Sequence, residues 1–216
     1  RIYAFGDLHL GNANANESAL KALVKLIGAD DNGYWIGMGD YADFINIRDP
    51  RFEPRDLAGW LLGGDELADI ARTECDYITA LLAPIREKCI GLIAGNHEEK
   101  ILQHSECDVY SRIIEALADG KNEHRLDHRG IVSLVFSRLG GSKMTVNIYA
   151  THGSIGGRSQ GGASNALSNL MAQVDNVDVV LQAHLHKGQH LQLAKFRPAR
   201  NCTRVVTIHG ITIPPM

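Results

Sequence analysis

The sequence predicts an α/β fold, and three observations carry that reading. Short apolar runs bounded by glycine recur along the chain, the first two flank an amphipathic helical stretch, and a later pair is joined by a Gly-Gly-Ser turn. The first run, Ile2-Tyr3-Ala4-Phe5, is a strand that passes into Gly6-Asp7-Leu8-His9. A spacing of two on an extended backbone points Asp7 and His9 to one side. Residues 16–27 carry Leu20, Leu23, Val24 and Ile27 at helical spacing, with Asn16 placed as the N-cap. The strand at 34–38 follows and ends on Gly39-Asp40-Tyr41-Ala42-Asp43. Strand, helix and strand form a βαβ unit, so both carboxylate-bearing ends lie on one edge of a parallel pair.

Residues 44–64 lack a period and hold Arg48, Arg51 and Arg55, so they read as a loop excursion over that edge. A long helix is expected over 65–88, broken near Pro84. The run at 89–94 is a buried strand, and the turn Gly95-Asn96-His97-Glu98 follows it. An amide and an imidazole are thereby presented at the carboxyl edge of a sheet, where open α/β folds place their ligands. Helical stretches at 98–103 and 108–118 come next. The runs at 131–137 and 144–150 alternate as strands, joined as a hairpin through Gly140-Gly141-Ser142. The second leads into Thr151-His152-Gly153, then a glycine loop around Arg158 and Gln160, then a helix at 163–174. A buried strand at 177–181 ends on Ala183-His184-Leu185-His186, and strands at 189–194 and 204–209 complete the pattern.

With 216 residues, the chain is the length of one domain, read as 1–216. Hydrophobic content of 44% and charged content of 22% are those of a soluble globular protein. No window approaches about 18 uninterrupted apolar residues, so no membrane span is expected. No signal peptide stands at Arg1, and the missing initiator Met points to a short leader absent from this chain. The net charge of −3 gives no standing attraction to long nucleic acid. Cys75, Cys89, Cys107 and Cys202 show no CxxC spacing, which speaks against a zinc knuckle or a redox pair. Reduced cysteines and a cytoplasmic location are the expectation.

Asp7, His9, Asp40, Asn96, His152, His184 and His186 all fall at or just after the ends of apolar runs. Singly, an Asp after Gly is a turn or cap residue, and a lone His is a hydrogen-bonded surface group. Their joint placement reverses this. Carboxylate, imidazole and amide donors without thiolate suit Mn, Fe, Zn or Mg-like ions and not structural zinc. Seven donors exceed what one open catalytic ion uses, and suffice for two.

The chain resembles the calcineurin-like metallophosphoesterase superfamily, with five ordered motifs. They stand here as Gly6-Asp7-Leu8-His9, Gly39-Asp40-Tyr41-Ala42-Asp43, Gly95-Asn96-His97-Glu98, Thr151-His152-Gly153 and Ala183-His184-Leu185-His186. Thr151 and Ala183 replace a common Gly at positions that do not ligate. The run from His152 through Gly156, Gly157 and Arg158 is similar to phage and prophage members. Phe44-Ile45 stands where the protein Ser/Thr phosphatases have Arg-Gly, which speaks against that branch.

The resemblance implies a four-layer αββα sandwich of two mixed β-sheets flanked by helices. It implies two divalent ions, manganese first, with zinc, iron, magnesium, nickel or cobalt as alternatives. Asp7, His9, Asp40 and His186 would hold one ion, and Asp40, Asn96, His152 and His184 the other. His97 would protonate the leaving oxygen or stabilise the transition state, in contact with Asp7. The implied reaction is attack of a metal-activated water or hydroxide on a phosphomono- or phosphodiester. The substrate would be a phosphorylated small molecule or nucleotide. A nuclease acting on DNA or RNA is the alternative, and an inactive binding scaffold is an alternative of another class. Family members usually carry more chain after the last motif, so Met216 is expected to be a truncated end.

Four further readings accompany the site. Asp43 either orients a ligand or caps a helix. Arg158 either grips a substrate phosphate or is an exposed loop residue. Arg48, Arg51 and Arg55 read as a solvated loop face, with recognition of a second phosphate as the alternative. His124, Arg125, His128 and Arg129 read as a polar surface turn, and Glu98 and Glu99 as acidic residues favoured by a helix dipole.

Overall fold

The computed structural model describes residues 1–63, 69–117, 124–153, 159–200 and 202–216, with Ala199 described by its backbone alone. Strand β1 (Ile2–Phe5), helix α1 (Glu17–Ala29) and strand β2 (Tyr34–Gly37) form the expected βαβ unit. Asn16 caps α1, its side-chain oxygen accepting the Ala19 amide at 3.1 Å. Leu20, Val24 and Ile27 are the buried stripe of α1, at the spacing of one helical face. Strand β3 (Cys89–Leu92) adds beside β2, giving a three-stranded parallel sheet in the order β1-β2-β3.

Alternation along each strand assigns the faces. Phe5, Trp35 and Leu92 pack against Ile27 of α1, Ile78 of helix α2 (Ile70–Leu82) and Ile113 of helix α4 (Val109–Leu117). Between β3 and α4 lies helix α3 (Asn96–Ser105), which opens on the Gly-Asn-His turn. Trp35 is fully buried and donates its indole N–H to the Ile85 carbonyl at 2.8 Å, so this aromatic meets no unpaired polar penalty. Ile36, Met38 and Ile93 point the other way, onto the second sheet.

That second sheet has five strands in the order β4-β5-β6-β8-β7 and mixes both directions. Strands β4 (Arg129–Ser137) and β5 (Lys143–Thr151) form the expected hairpin. Strand β6 (Val179–Gln182) runs parallel to both β5 and β8 (Cys202–Thr212), and β7 (Gln189–Ala199) closes the edge antiparallel to β8. Ile148, Ala150, Leu181 and Ala183 face the first sheet, while Val180 and Ile208 meet Leu167 and Met171 of helix α5 (Gln160–Gln173). The layers therefore run helices, sheet, sheet, helix, which is the four-layer sandwich. The first sheet is wholly parallel, since each of its connections is a crossover through helix.

The remaining differences are local. The loop after β2 contains two short 3-10 turns, Pro54–Asp56 and Gly59–Leu61, anchored by Leu57 and Leu61 against Ile70. Helix α2 gives way to a 3-10 segment, Ala83–Lys88, where Pro84 removes a donor. The first part of the helix expected from residue 65 lies outside the described residues. Helix α5 begins at Gln160 rather than 163, because Ser159 accepts the Gly162 amide at 3.0 Å and caps it. Strands β7 and β8 are longer than their apolar runs, and Pro198 is tolerated because β7 is the edge strand.

Among the described residues, no helix is long and apolar enough to cross a membrane. Since Ile36 is fully buried between the two sheets, Ile36→Ala is expected to lower unfolding stability by about 2–5 kcal/mol. Denaturant titration reads this, and a loss under about 1 kcal/mol would contradict a close-packed layer there.

Candidate metal centre

Strands β1, β2 and β3 point their carboxyl ends the same way, and so do β5 and β6. The loops leaving those ends meet at one place. Asp7, His9, Asp40, His184 and His186 all adopt the left-handed region, with φ of 49°, 45°, 51°, 67° and 51°. Asp and His enter that region more readily than most residues, yet each such conformation is unfavourable by roughly 1–2 kcal/mol. Five of them at one edge mark a site held by its surroundings.

Backbone donors position the carboxylates. The His184 N–H donates to Asp7 Oδ2 at 3.0 Å, and the His97 N–H donates to Asp40 Oδ1 at 2.9 Å. The other oxygens, Asp7 Oδ1 and Asp40 Oδ2, face a ring of imidazoles. His186 Nε2 lies 3.6 Å and His152 Nε2 4.0 Å from Asp7 Oδ1, and His152 Nε2 lies 3.2 Å and His9 Nε2 4.0 Å from Asp40 Oδ2. Asn96 Oδ1 is 3.1 Å from His152 Nε2.

Two groups of donor atoms result. Asp7, His9 and His186 converge within 4.8 Å of one another, and so do Asp40, His152 and His184. His9, Asp40 and His97 form a third such group that overlaps the first two. All seven residues that the sequence singled out, together with His97, are therefore brought to one pocket. Asp40 Oδ2 faces both sides, because Oδ1 is already taken by the His97 amide.

The donors fit cations. Asp7 Oδ1 and His9 Nε2 are buried and have no hydrogen-bond partner among the described residues. Buried polar atoms are nearly always satisfied, so two orphans that face one another across a pocket of carboxylates are atoms in need of a positive partner. Carboxylate, imidazole and amide donors suit divalent ions of intermediate hardness.

The electrostatics of the pocket point the same way. Burial alone would raise the Asp40 carboxyl, but the hydrogen bond and charge of His152 hold it well below the usual range. Burial alone would lower His152, yet Asp40 pushes it up to about 9. His152 is thus the counter-ion of Asp40. Its Nδ1 is 2.7 Å from the Met38 carbonyl and serves as the donor, which leaves Nε2 directed at the carboxylates. Burial lowers His184, which also feels His152.

The surrounding residues fix these ligands. Asp43 accepts from His9 Nδ1 at 3.0 Å and from Asn12 Nδ2 at 2.9 Å, so it orients a ligand rather than capping a helix. The His97 ring meets Asp43, with Nδ1 2.6 Å from the Asp43 carbonyl and 3.7 Å from its carboxylate. The expected contact of His97 with Asp7 is thus replaced by one with Asp43, because the turn after β2 lies nearer to the start of α3.

Glu98 has a larger role than the helix-dipole reading gave it. Its buried carboxylate accepts the amides of Asp40, Tyr41 and Gly95 at 3.0, 2.8 and 2.7 Å, tying the two loops together. Burial, with Asp40 nearby, pushes it up to about 7 despite those three donors. Gly39 and Gly95 are required by the same closeness. A Cβ on Gly39 would lie 2.6 Å from the Gly95 nitrogen, and one on Gly95 would lie 2.2 Å from Asp40 Oδ1. A Glu three residues after Gly95, the spacing at which its carboxylate reaches back to the N-cap amide, was the available signal. Glu74, buried in α2, was not singled out and accepts the Phe44 amide at 2.9 Å, holding the turn that follows Asp43.

The arginine candidates divide. Arg51 pairs with Asp49 at 2.7 Å and Arg55 with Glu53 at 3.2 Å, so both engage carboxylates of their own loop. Arg158 lies outside the described residues. Arg125 packs over the Tyr110 ring, whereas His128 and Arg129 line a cavity of about 350 Å³ that also holds Asn96 and His152.

The family model for calcineurin-like phosphoesterases matches residues 1–188. Among solved structures, the chain is similar to the calcineurin-like phosphoesterase YfkN from Bacillus subtilis. The identity is 10%, with 97% of this chain and 89% of that chain covered and a TM-score of 0.40. No curated protein matches significantly.

Replacing Glu98 by Gln is expected to destabilise the protein by about 1–3 kcal/mol, since one oxygen that accepts a backbone amide becomes a donor. Thermal unfolding checks this, and a variant as stable as the wild type would contradict the clamp.

Proposed function

The chain belongs to the calcineurin-like phosphoesterase family, and on that premise we propose that Asp7, His9, Asp40 and His186 hold one divalent ion and Asp40, Asn96, His152 and His184 the other. The protein is a metal-dependent phosphoesterase, with His and Asp clusters of the kind that hold a dinuclear site. The observation that carries the ligand assignment is the pair of orphaned buried atoms, Asp7 Oδ1 and His9 Nε2, facing Asp40 Oδ2 and the imidazoles. We read residues 1–216 as a single such domain, with Mn²⁺ as the native ion. The His152–Arg158 run supports a phage- or prophage-type member.

Bound there, two divalent ions supply a water of lowered pKa as nucleophile and positive charge for the phosphoryl oxygens. The rest falls to the chain itself. Asp40 presents Oδ2 to both halves of the site while the His97 amide holds Oδ1, so Oδ2 would be the oxygen offered to the ions. Asp43 orients the His9 ring, and the Met38 carbonyl orients His152. His97 gives Nδ1–H to the Asp43 carbonyl, so the proton it delivers or donates to the leaving oxygen is the Nε2–H of its imidazolium, a form that burial disfavours and the Asp40 and Asp43 carboxylates favour. The substrate is a phosphorylated small molecule or nucleotide. Net charge of −3 weighs against long DNA or RNA, the substrate of the nuclease alternative.

Metal-depleted protein reconstituted with Mn, Zn or Mg should hydrolyse chromogenic mono- or diesters, with single-stranded DNA offered in parallel. His97→Ala is expected to slow turnover by about 10²- to 10⁴-fold while two ions remain bound. Asp40→Ala should lose both, because each ion loses a ligand. Metal content and initial rates read the two effects together. Loss of metal from His97→Ala, or two ions retained in Asp40→Ala, would overturn the assigned roles, and no turnover with any ion would favour a binding scaffold.

A further inference from the structure

The two edge strands of the second sheet are protected unequally. Strand β7 carries Lys195, Arg197 and Pro198, and charge and proline are what keep an edge from pairing with another chain. Strand β4 has neither Lys nor Pro, and Arg129 at its start is its one charged residue. It pairs with β5 from Arg129 to Ser137 without a bulge, and no described strand pairs with its other side. Along it Ile131, Val135 and Phe136 are 55%, 57% and 51% exposed. The outer edge of β3, by contrast, is engaged by its own chain, since the Leu126 amide donates to the Leu92 carbonyl and the Ala94 amide to the Asp127 carbonyl.

Alternate residues of β4 turn their backbone groups to that open side. The Asn147 carbonyl accepts the Asp178 amide at 2.8 Å, and the Asn147 amide donates to Asp178 Oδ2 at 2.8 Å, so both point away from β4. Ser133 lies directly opposite Asn147 and therefore presents its own N–H and C=O outward, as do Ile131 and Val135 by the period of two. The strand is also self-complementary about Ser133. A two-fold axis there sets Ile131 opposite the partner's Val135 on the outer face, and Val132 opposite the partner's Leu134 on the face that packs on the first sheet. Phe136 falls opposite the partner's Gly130, where the missing side chain leaves room for the ring. Arg129 meets only the partner's Ser137, so no like charges oppose each other.

We propose that β4 is the interface of a homodimer, pairing antiparallel with β4 of a second copy about a two-fold axis at Ser133, so that the two second sheets become one continuous sheet. Such a contact uses the same surface on both copies. It consumes the unprotected edge of each sheet and leaves the guarded β7 edges outside, so it closes at two copies. The register has a consequence for the metal centre. Beyond Ser137 the partner's turn at 138–142 runs past Arg129 to His128, on the rim of the cavity that holds Asn96 and His152. Each copy thereby stands beside the mouth of the other's site.

The test is the mass of the full chain by analytical ultracentrifugation between about 1 μM and about 0.1 mM. The mass is expected to rise to that of two copies over this range, and hydrogen exchange in peptides covering residues 129–137 should slow in step with it. Ser133→Pro removes an outward N–H that the β4–β5 ladder does not use, so the variant should remain folded by circular dichroism and stay monomeric. Val135→Lys puts a charge opposite the partner's Ile131 at an exposed position, so it should also be monomeric and keeps the test decisive if the proline variant does not fold. A wild type that is monomeric throughout, a mass above two copies, a dimer that survives in either folded variant, or exchange in 129–137 that ignores concentration would overturn the proposal.

Discussion

Two carboxylates buried side by side are the constraint around which the molecule is arranged. Asp7 and Asp40 are each 1% exposed and face the same pocket. Burying one unpaired charge is unfavourable, and burying two of like sign is more so. The fold answers half of the demand with backbone amides, those of His184 and His97, on one oxygen of each carboxylate. The remaining oxygens are left facing imidazoles, and among the described residues Asp7 Oδ1 is left without a donor. A fold that spends five left-handed conformations on this geometry has built a place for positive charge.

The layers serve that geometry. Parallel strands in the first sheet and the parallel β5–β6 pair in the second end at the same side, so five loops meet without any long connection. Glu98 then ties the Gly39-Asp40 turn to the start of α3, and Glu74 supports the turn after Asp43. Among the described residues, these two buried acids join none of the three groups of converging donors, yet they hold the loops in place. Their burial is tolerable because Glu98 accepts three backbone amides and Glu74 accepts one, donors that would otherwise be unsatisfied.

Much of this was legible in the sequence, and the reason is local. Gly-Asp, Gly-Asn and His-x-His after apolar runs are short-range patterns, so strand ends and candidate ligands could be read together. The capping of α1 by Asn16 was equally local. What escaped depends on approach between distant segments. Glu98 looks like an ordinary first-turn acid until the β2 loop lies against it. The partner of His97 is set by how the turn at Asp43 bends back, which no motif spacing states. Arg129 and His128 sit in what reads as a polar turn, and only the β4–β5 pairing brings them beside His152.

The central claim is that the orphaned atoms of Asp7 and His9 and the shared oxygen of Asp40 exist to hold a pair of cations. Anomalous diffraction from crystals grown with Mn²⁺ tests it most directly. The expected result is two peaks about 3.5–4 Å apart, one among Asp7, His9 and His186, the other among Asn96, His152 and His184, with Asp40 between them. A single peak, or peaks away from Asp40, would contradict the account.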